Sequence, residues 1–213
     1  DEKLKKRMQE MESRMDSSLL PKELMVRQPY FCSGCPHNTS TVVPEGSIAK
    51  AGIGWHYMAQ WMDRDTLGFT HMGAEGANWV GQAPFSTRKH IFQNIGDGTY
   101  FHSGTMAIRA AVSSGINITY KILFNDAVAM TGGQGFDGPM TVQSIIQQMF
   151  AEGAKQVTVV SDEPEKYSQS SGIPANVKVY DRKDLDLVQR EIREIEGVTI
   201  LIYEQVCAAE KRR

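Results

Sequence analysis

A carboxylate between two glycines, Gly96-Asp97-Gly98, and an asparagine placed after 26 intervening residues, Asn125, are the groups in this chain best suited to hold a charged ligand. The glycines let a backbone approach a ligand closely, and N–H groups at the start of a following helix favour anions. Asp97 and Asn125 offer hard oxygens, and a few such groups, completed by water and diphosphate oxygens, suit octahedral Mg²⁺. For the two to act together they must meet in space. Residues 91–95 read as a short strand ending just before Asp97, and residues 118–124 as a buried strand ending at Asn125. Residues 101–115, rich in Ala and apolar side chains, have the length of a connecting helix. A β-α-β unit of this kind brings both strand ends to one carboxyl edge, where open α/β sheets bind ligands. The residues therefore read as a magnesium-bridged diphosphate site.

A second group is Cys32-x-x-Cys35, followed by Pro36 and His37. Its spacing is open to a redox dithiol, half of a zinc site, or two thiolates on an iron–sulfur cluster. There is no second C-x-x-C, and the third cysteine is the distant Cys207. His37 is the histidine best placed for chemistry, and His102 follows the Gly-Asp-Gly turn. The segment His71-Met72-Gly73-Ala74-Glu75-Gly76 puts small residues and a Glu at a strand-to-helix junction, where Gly73 and Glu75 could line a diphosphate. A tight turn with a helix-start Glu is the alternative.

The elements needed to position these groups follow from the apolar pattern. Residues 1–20 are charged, with Leu4, Met8, Met11, Met15 and Leu19 recurring every three or four positions. This is an amphipathic helix with a Met-rich stripe, expected to pack on its own or a neighbouring domain. Pro21 and Pro29 bound an extended linker, so residues 1–28 form an appendage to a domain at 29–213. Residues 47–54 read as a strand and 56–62 as the start of a helix. Residues 141–150 read as an amphipathic helix capped by Gly153, then 156–160 as a strand and 161–175 as a loop. Residues 177–180 read as a short strand, 185–196 as a helix with Leu185, Val188, Ile192 and Ile195 inward, and 198–203 as a last strand. Alternating buried strands and amphipathic helices predict an α/β fold with a doubly wound, mostly parallel sheet.

The whole chain has 213 residues, 23 Lys+Arg against 25 Asp+Glu and a formal net charge of −2, which gives no basis for a nucleic-acid surface. No apolar run approaches the roughly 18 residues of a membrane span. Three cysteines fit a reducing cytoplasm better than a disulfide scaffold. A start without Met and a stop at Arg212-Arg213 read as a piece of a larger polypeptide.

Gly-Asp-Gly, 26 residues and then Asn is the spacing of the thiamine diphosphate motif. Asn125-Asp126-Ala127-Val128-Ala129-Met130-Thr131-Gly132-Gly133-Gln134 resembles the corresponding loop of the 2-oxoacid:ferredoxin oxidoreductases. Phe31-Cys32-Ser33-Gly34-Cys35-Pro36-His37 resembles the start of the thiamine-binding domain of the indolepyruvate ferredoxin oxidoreductases. The resemblance runs over residues 29–213.

It implies a thiamine diphosphate-binding fold, specifically the diphosphate-binding domain. Asp97, Asn125 and the Ala127 carbonyl would ligate Mg²⁺, while Gly96, Gly98, Thr99 and Thr131 hold the diphosphate. It implies a similar role for the segment of Gly73 and Glu75. Met130 stands where pyruvate-specific relatives carry Asn, and is expected to favour a bulky or aromatic 2-oxoacid. The activity implied is oxidative decarboxylation of an aryl pyruvate such as indolepyruvate to the acyl-CoA, with electrons passed to ferredoxin. The partners implied are an aminopyrimidine-binding domain and the other domains of the enzyme, ferredoxin, coenzyme A and a dimeric assembly. Alone, the chain is expected to be inactive.

Cys32, Cys35 and Cys207 match three of four cysteines that hold a 4Fe–4S cluster in simpler relatives. Trp55 stands where the fourth is expected, and Trp cannot ligate iron. A cluster completed by His56 or another group, a 3Fe–4S cluster, or no cluster remain open. A non-oxidative thiamine-dependent decarboxylase and a non-catalytic assembly domain are the competing functions.

Overall fold

The computed structural model describes residues 2–15, 28–128, 133–135, 138–167 and 172–212. Seven strands form one parallel sheet: β1 (Ala49–Ala51), β2 (Thr66–Phe69), β3 (Ile91–Gly96), β4 (Ile118–Phe124), β5 (Gln156–Ser161), β6 (Lys178–Asp181) and β7 (Val198–Glu204). Their order across the sheet is β2-β1-β3-β4-β7-β5-β6, with every pairing parallel. The sheet is thus wholly rather than mostly parallel. The chain runs from β1 outward to β2, then crosses back to β3 on the other side of β1. That reversal opens a crevice at the carboxyl ends of β1 and β3.

Six helices join and flank the strands, after an N-terminal α1 (Glu2–Met15). They are α2 (His37–Ser40), α3 (Ala77–Gln82), α4 (Asp97–Thr99), α5 (Thr105–Ser114), α6 (Val142–Glu152) and α7 (Leu185–Ile192). Inward side chains alternate between the two faces of the sheet, as the pleat requires. On one face Ile91, Ile95, Ile118, Tyr120, Ile122, Val157 and Ile200 pack under Ile108, Ala111, Ile145, Ile146 and Met149. On the other Phe92, Leu123, Val160, Leu201 and Tyr203 meet Leu185, Val188 and Ile192. Burying each large aliphatic side chain contributes about 1.5–3 kcal/mol. The central pair is held in full register, from Ile91 opposite Ile118 to Gly96 opposite Leu123, so Asp97 and Asn125 emerge together.

Several boundaries differ from the sequence pattern. The strand expected at 47–54 shrinks to Ala49–Ala51, because the backbone must bend at Gly52 to pass Asn94 and the ring of His56. The expected helix at 56–62 is a 3₁₀ turn, Trp55–Trp61. The helix expected at 101–115 starts earlier, at Asp97, and widens into a π turn over Tyr100–Gly104 before α5. Gly104 lies against Ile95 and the Thr99 carbonyl with no room for a Cβ, and π turns recur at functional sites. α7 stops at Ile192, short of 196, and a 3₁₀ turn, Pro164–Tyr167, interrupts the expected loop. α6 has a capping box, in which Thr141 Oγ1 accepts from Ser144 N, and ends at Gly153 with φ +102°. On α1, Leu4, Met8 and Met11 are exposed, so no described residue covers that part of the stripe, and Leu19 and the side chain of Met15 lie outside the described residues.

Candidate functional site

Where β1, β3 and β4 end, a cavity of about 280 Å³ opens. Its walls come from Ile53–His56 after β1, Gly96–Thr99 after β3 and Leu123, Asn125, Ala127 and Val128 from β4 onward, with His37, Met72 and His102 completing it. Gly96, Asp97, Gly98, Thr99, Asn125 and Ala127 therefore share one cavity, along with His37.

Asp97 is the hub. Its carboxylate is almost fully buried: Oδ1 accepts from Gly98 N at 2.7 Å, and Oδ2 from Asn125 N at 2.8 Å and Asp126 N at 2.9 Å. Asp126 reaches this arrangement with φ +57°, a left-handed conformation that Asp tolerates better than most residues. Asn125 Oδ1 accepts from Ala127 N at 3.1 Å, and Val128 then pairs with Gln134 as the loop doubles back. No lysine or arginine pairs with Asp97 among the described residues. Burial, the largest cause, pushes its pKa up to about 6 against the lowering effect of the three N–H groups. A buried carboxylate without a cation, beside a side-chain amide oxygen and at the mouth of a cavity, fits a divalent ion. Thr99 Oγ1 donates to Ile53 O at 3.0 Å, tying the end of β1 to the Gly-Asp-Gly turn.

Glu75 sits elsewhere. It is fully buried, with Oε1 accepting from Ile53 N at 3.3 Å and Oε2 from Gly73 N at 2.7 Å. Neither Glu75 nor Gly73 lines the cavity. The carboxylate acts here as a clamp on the loop that shapes the wall. Met130 and Thr131 lie outside the described residues.

His56, expected from sequence only as a candidate fourth ligand of a cluster, lines the cavity. Its ring and that of His37 meet nearly edge-on at 5.5 Å. His37 Nδ1 is 3.3 Å from Ser40 Oγ. Burial pushes the pKa of His37 down to about 4, and burial followed by His37 pushes that of His56 to about 3, so both rings are neutral. Nε2 of His56 is buried with no hydrogen-bond partner, an arrangement that costs about 1–3 kcal/mol. The sequence signal was Gly52-x-Gly54-x-His56, two glycines spaced to clear a ring.

The three cysteines are neighbours. Cys32 is half-buried, Cys35 and Cys207 are buried, and all three are free. Burial above all, then Cys32 and Cys207 beside it, push the Cys35 thiol up to about 12. Cys207 N donates to Asn125 O at 3.3 Å, which links this corner to the cavity loop. Phe31, Cys35 and Ala59 pack together with Met58 and Met62, so the turn that carries Trp55 abuts the thiols. Among the described residues no three His, Cys, Asp or Glu side chains converge as a metal site. The corner does not fit a four-cysteine cluster.

Residues 47–203 match the family model of the thiamine pyrophosphate enzyme, C-terminal TPP binding domain. The chain is 26% identical over 204 residues to the indolepyruvate oxidoreductase subunit IorA of Thermococcus kodakarensis, covering 87% of this chain and 30% of that protein. It is 27% identical over 212 residues to the IorA subunit of Archaeoglobus fulgidus, covering 91% and 31%. The chain thus spans about a third of the length of these curated relatives. Among solved structures it superposes on the 2-oxoglutarate:ferredoxin oxidoreductase from Magnetococcus marinus with a TM-score of 0.62 at 19% identity, over 86% of this chain and 66% of that one. The benzoylformate decarboxylase from Polynucleobacter necessarius gives 0.54 at 15% identity, over 85% and 34%. At these identities the superpositions establish the fold.

Proposed function

The chain belongs to the thiamine pyrophosphate enzymes, as their C-terminal TPP-binding domain, and on that premise we propose that it grips the diphosphate in an indolepyruvate-type 2-oxoacid:ferredoxin oxidoreductase. The observation that carries this reading is the meeting of Gly96-Asp97-Gly98 with Asn125 in one cavity, around a buried carboxylate that has no cationic partner among the described residues. Asp97, Asn125 and the Ala127 carbonyl would hold Mg²⁺, and the Gly98 backbone, Thr99 and Thr131 the diphosphate. Gly73 and Glu75 act on the loop behind it. When bound, thiamine diphosphate would supply a nucleophilic carbon and an electron sink for decarboxylation of a 2-oxoacid. This chain's own residues bind, orient and exclude water, with His37 next to the reacting end.

Residues 29–213 would form the working domain and residues 1–28 an appendage. The aminopyrimidine end of the cofactor needs a second domain, and ferredoxin, coenzyme A and a dimeric cytoplasmic assembly complete the scheme. No helix among the described residues is long and apolar enough to cross a membrane. The IorA relatives support the aryl 2-oxoacid as substrate. Cys32, Cys35 and Cys207 would offer three thiolates to an iron–sulfur cluster, and Trp55 cannot supply the fourth ligand. That gap favours a second reading, a non-oxidative decarboxylase on the same cofactor.

The test is titration of the full polypeptide with thiamine diphosphate, with Mg²⁺ and then with the metal chelated. Tight binding that disappears on chelation is expected, and metal-independent binding or none at all would overturn the site. For the substrate, Met130→Asn should lower the turnover of phenylpyruvate relative to pyruvate, and an unchanged ratio would remove Met130 from specificity.

A further inference from the structure

We propose that His56 is a further substrate-contacting residue of this site, its imidazole hydrogen-bonding the polar end of the 2-oxoacid. The inference rests on the thiamine reading above.

Three glycines make room for this ring. A Cβ on Gly52 would lie 2.6 Å from His56 Nε2, one on Gly54 2.6 Å from Cε1, and one on Gly96 3.1 Å from Cε1. The first two glycines close the end of β1 and the third opens the Gly-Asp-Gly turn, so the seat for the ring is built into both strand ends. A ring needed only to fill that seat would be better as an apolar one, because a buried nitrogen without a hydrogen bond is costly. Nε2 has no partner. His37 differs, since its Nδ1 faces Ser40 Oγ. His56 is therefore a ring with one nitrogen, Nε2, that no protein group among the described residues engages, and a neutral imidazole can donate or accept as the ligand requires.

Position separates substrate from phosphate. The Gly98 N–H, Asp97 and Asn125 lie where β3 and β4 end, whereas His56 comes from the turn after β1 and packs its ring against His37. The same cavity has apolar walls from Ile53, Trp55, Met72 and Leu123. In such apolar surroundings a single neutral hydrogen-bonding ring orients a carboxylate or keto oxygen without screening it as a cation would.

The experiment uses the full enzyme loaded with Mg²⁺ and oxythiamine diphosphate, which occupies the site without reacting, and follows phenylpyruvate binding by tryptophan fluorescence. His56→Phe keeps the ring's volume and removes its nitrogens. It should leave the affinity for oxythiamine diphosphate unchanged and weaken phenylpyruvate by about tenfold, roughly one hydrogen bond. His56→Asn or His56→Gln, whichever returns an N–H to the position used, should recover most of that loss. Phenylpyruvate affinity unchanged in His56→Phe would overturn the proposal. So would a loss that neither amide recovers, or a loss of cofactor affinity that tracks the loss of oxoacid, since either would make the ring a structural filler. Failure of the unmodified enzyme to take up the cofactor would instead sink the reading of the site itself.

Discussion

Asp97 and Lys121 are two buried charges on neighbouring strand units, neither with an opposite charge paired to it among the described residues, and the fold handles them in opposite ways. Asp97 stands at the carboxyl edge, where three backbone N–H groups meet its oxygens and a cavity lies open before it. Lys121 stands in the middle of β4, fully enclosed, with Nζ donating to Val42 O at 3.0 Å and Gln189 Oε1 at 2.7 Å. One charge is solvated by dipoles that leave part of its coordination free. The other is solvated by two acceptors and sealed. A buried ion thus marks a ligand site only where the fold also leaves space next to it.

The strongest way to break this contrast is to neutralise the carboxylate. Asp97→Asn should lower the affinity for thiamine diphosphate with Mg²⁺ by about 100-fold or more, because a charged ligand to a hard cation is lost. The stability of the cofactor-free protein should change by less than about 1 kcal/mol, since the weakened hydrogen bonds are offset by relief of a buried charge. Calorimetric titration and urea unfolding measure the two. A large loss of stability with cofactor affinity intact would make Asp97 a structural hub like Lys121.

The thiol corner tests the same idea from the other side, as a site with a missing member. Cys32, Cys35 and Cys207 are adjacent, and the turn carrying Trp55 packs on them. Protein purified without oxygen should hold at most about three iron per chain, and Trp55→Cys should raise this to about four iron and four sulfide. Unchanged iron in the variant would mean that residue 55 is not the position of the lost ligand.

How much of this was legible beforehand follows from what each signal depends on. β4 was found to the residue, because Ile118–Phe124 is buried along its whole length and a parallel strand covered on both faces reads as a continuous apolar run. The pairing of Asp97 with Asn125 was legible for the same reason: it needs only two strand ends and a crossover. β1 was overextended, since Gly52 and Gly54 taken alone leave open whether the backbone runs on as strand or bends away to admit a ring, here that of His56. Glu75 was left between the ligand and a tight turn, because a carboxylate at a strand-to-helix turn looks the same whether it faces the cavity or, as here, turns back to Ile53 N and Gly73 N. The register of a strand is written in its own residues. The direction of a loop side chain is written in its partners.

The smallest expected effect concerns Lys121, and it asks whether a sealed charge matters to anything but stability. Burial, with Arg64 adding to it, lowers its pKa from 10.5 to about 7. Between those two values the unfolded chain binds the proton that the folded chain has released, so this residue makes stability rise with pH across about 7 to 10.5 and fall as pH drops toward 7. The slope it contributes is at most about 1.4 kcal/mol per pH unit. Other groups titrate in the same window, the Cys35 thiol among them, and they are common to both proteins when wild type is compared with Lys121→Met. The difference between the two in urea midpoint, taken at pH 6.5, 8 and 9.5, should therefore shift steadily in favour of wild type as pH rises. The affinity for thiamine diphosphate with Mg²⁺ should be the same in both. A variant that kept the wild-type pH profile would show that Lys121 keeps its proton in the folded protein across this range, and one that lost the cofactor would erase the distinction between a charge held for a ligand and a charge held by the core.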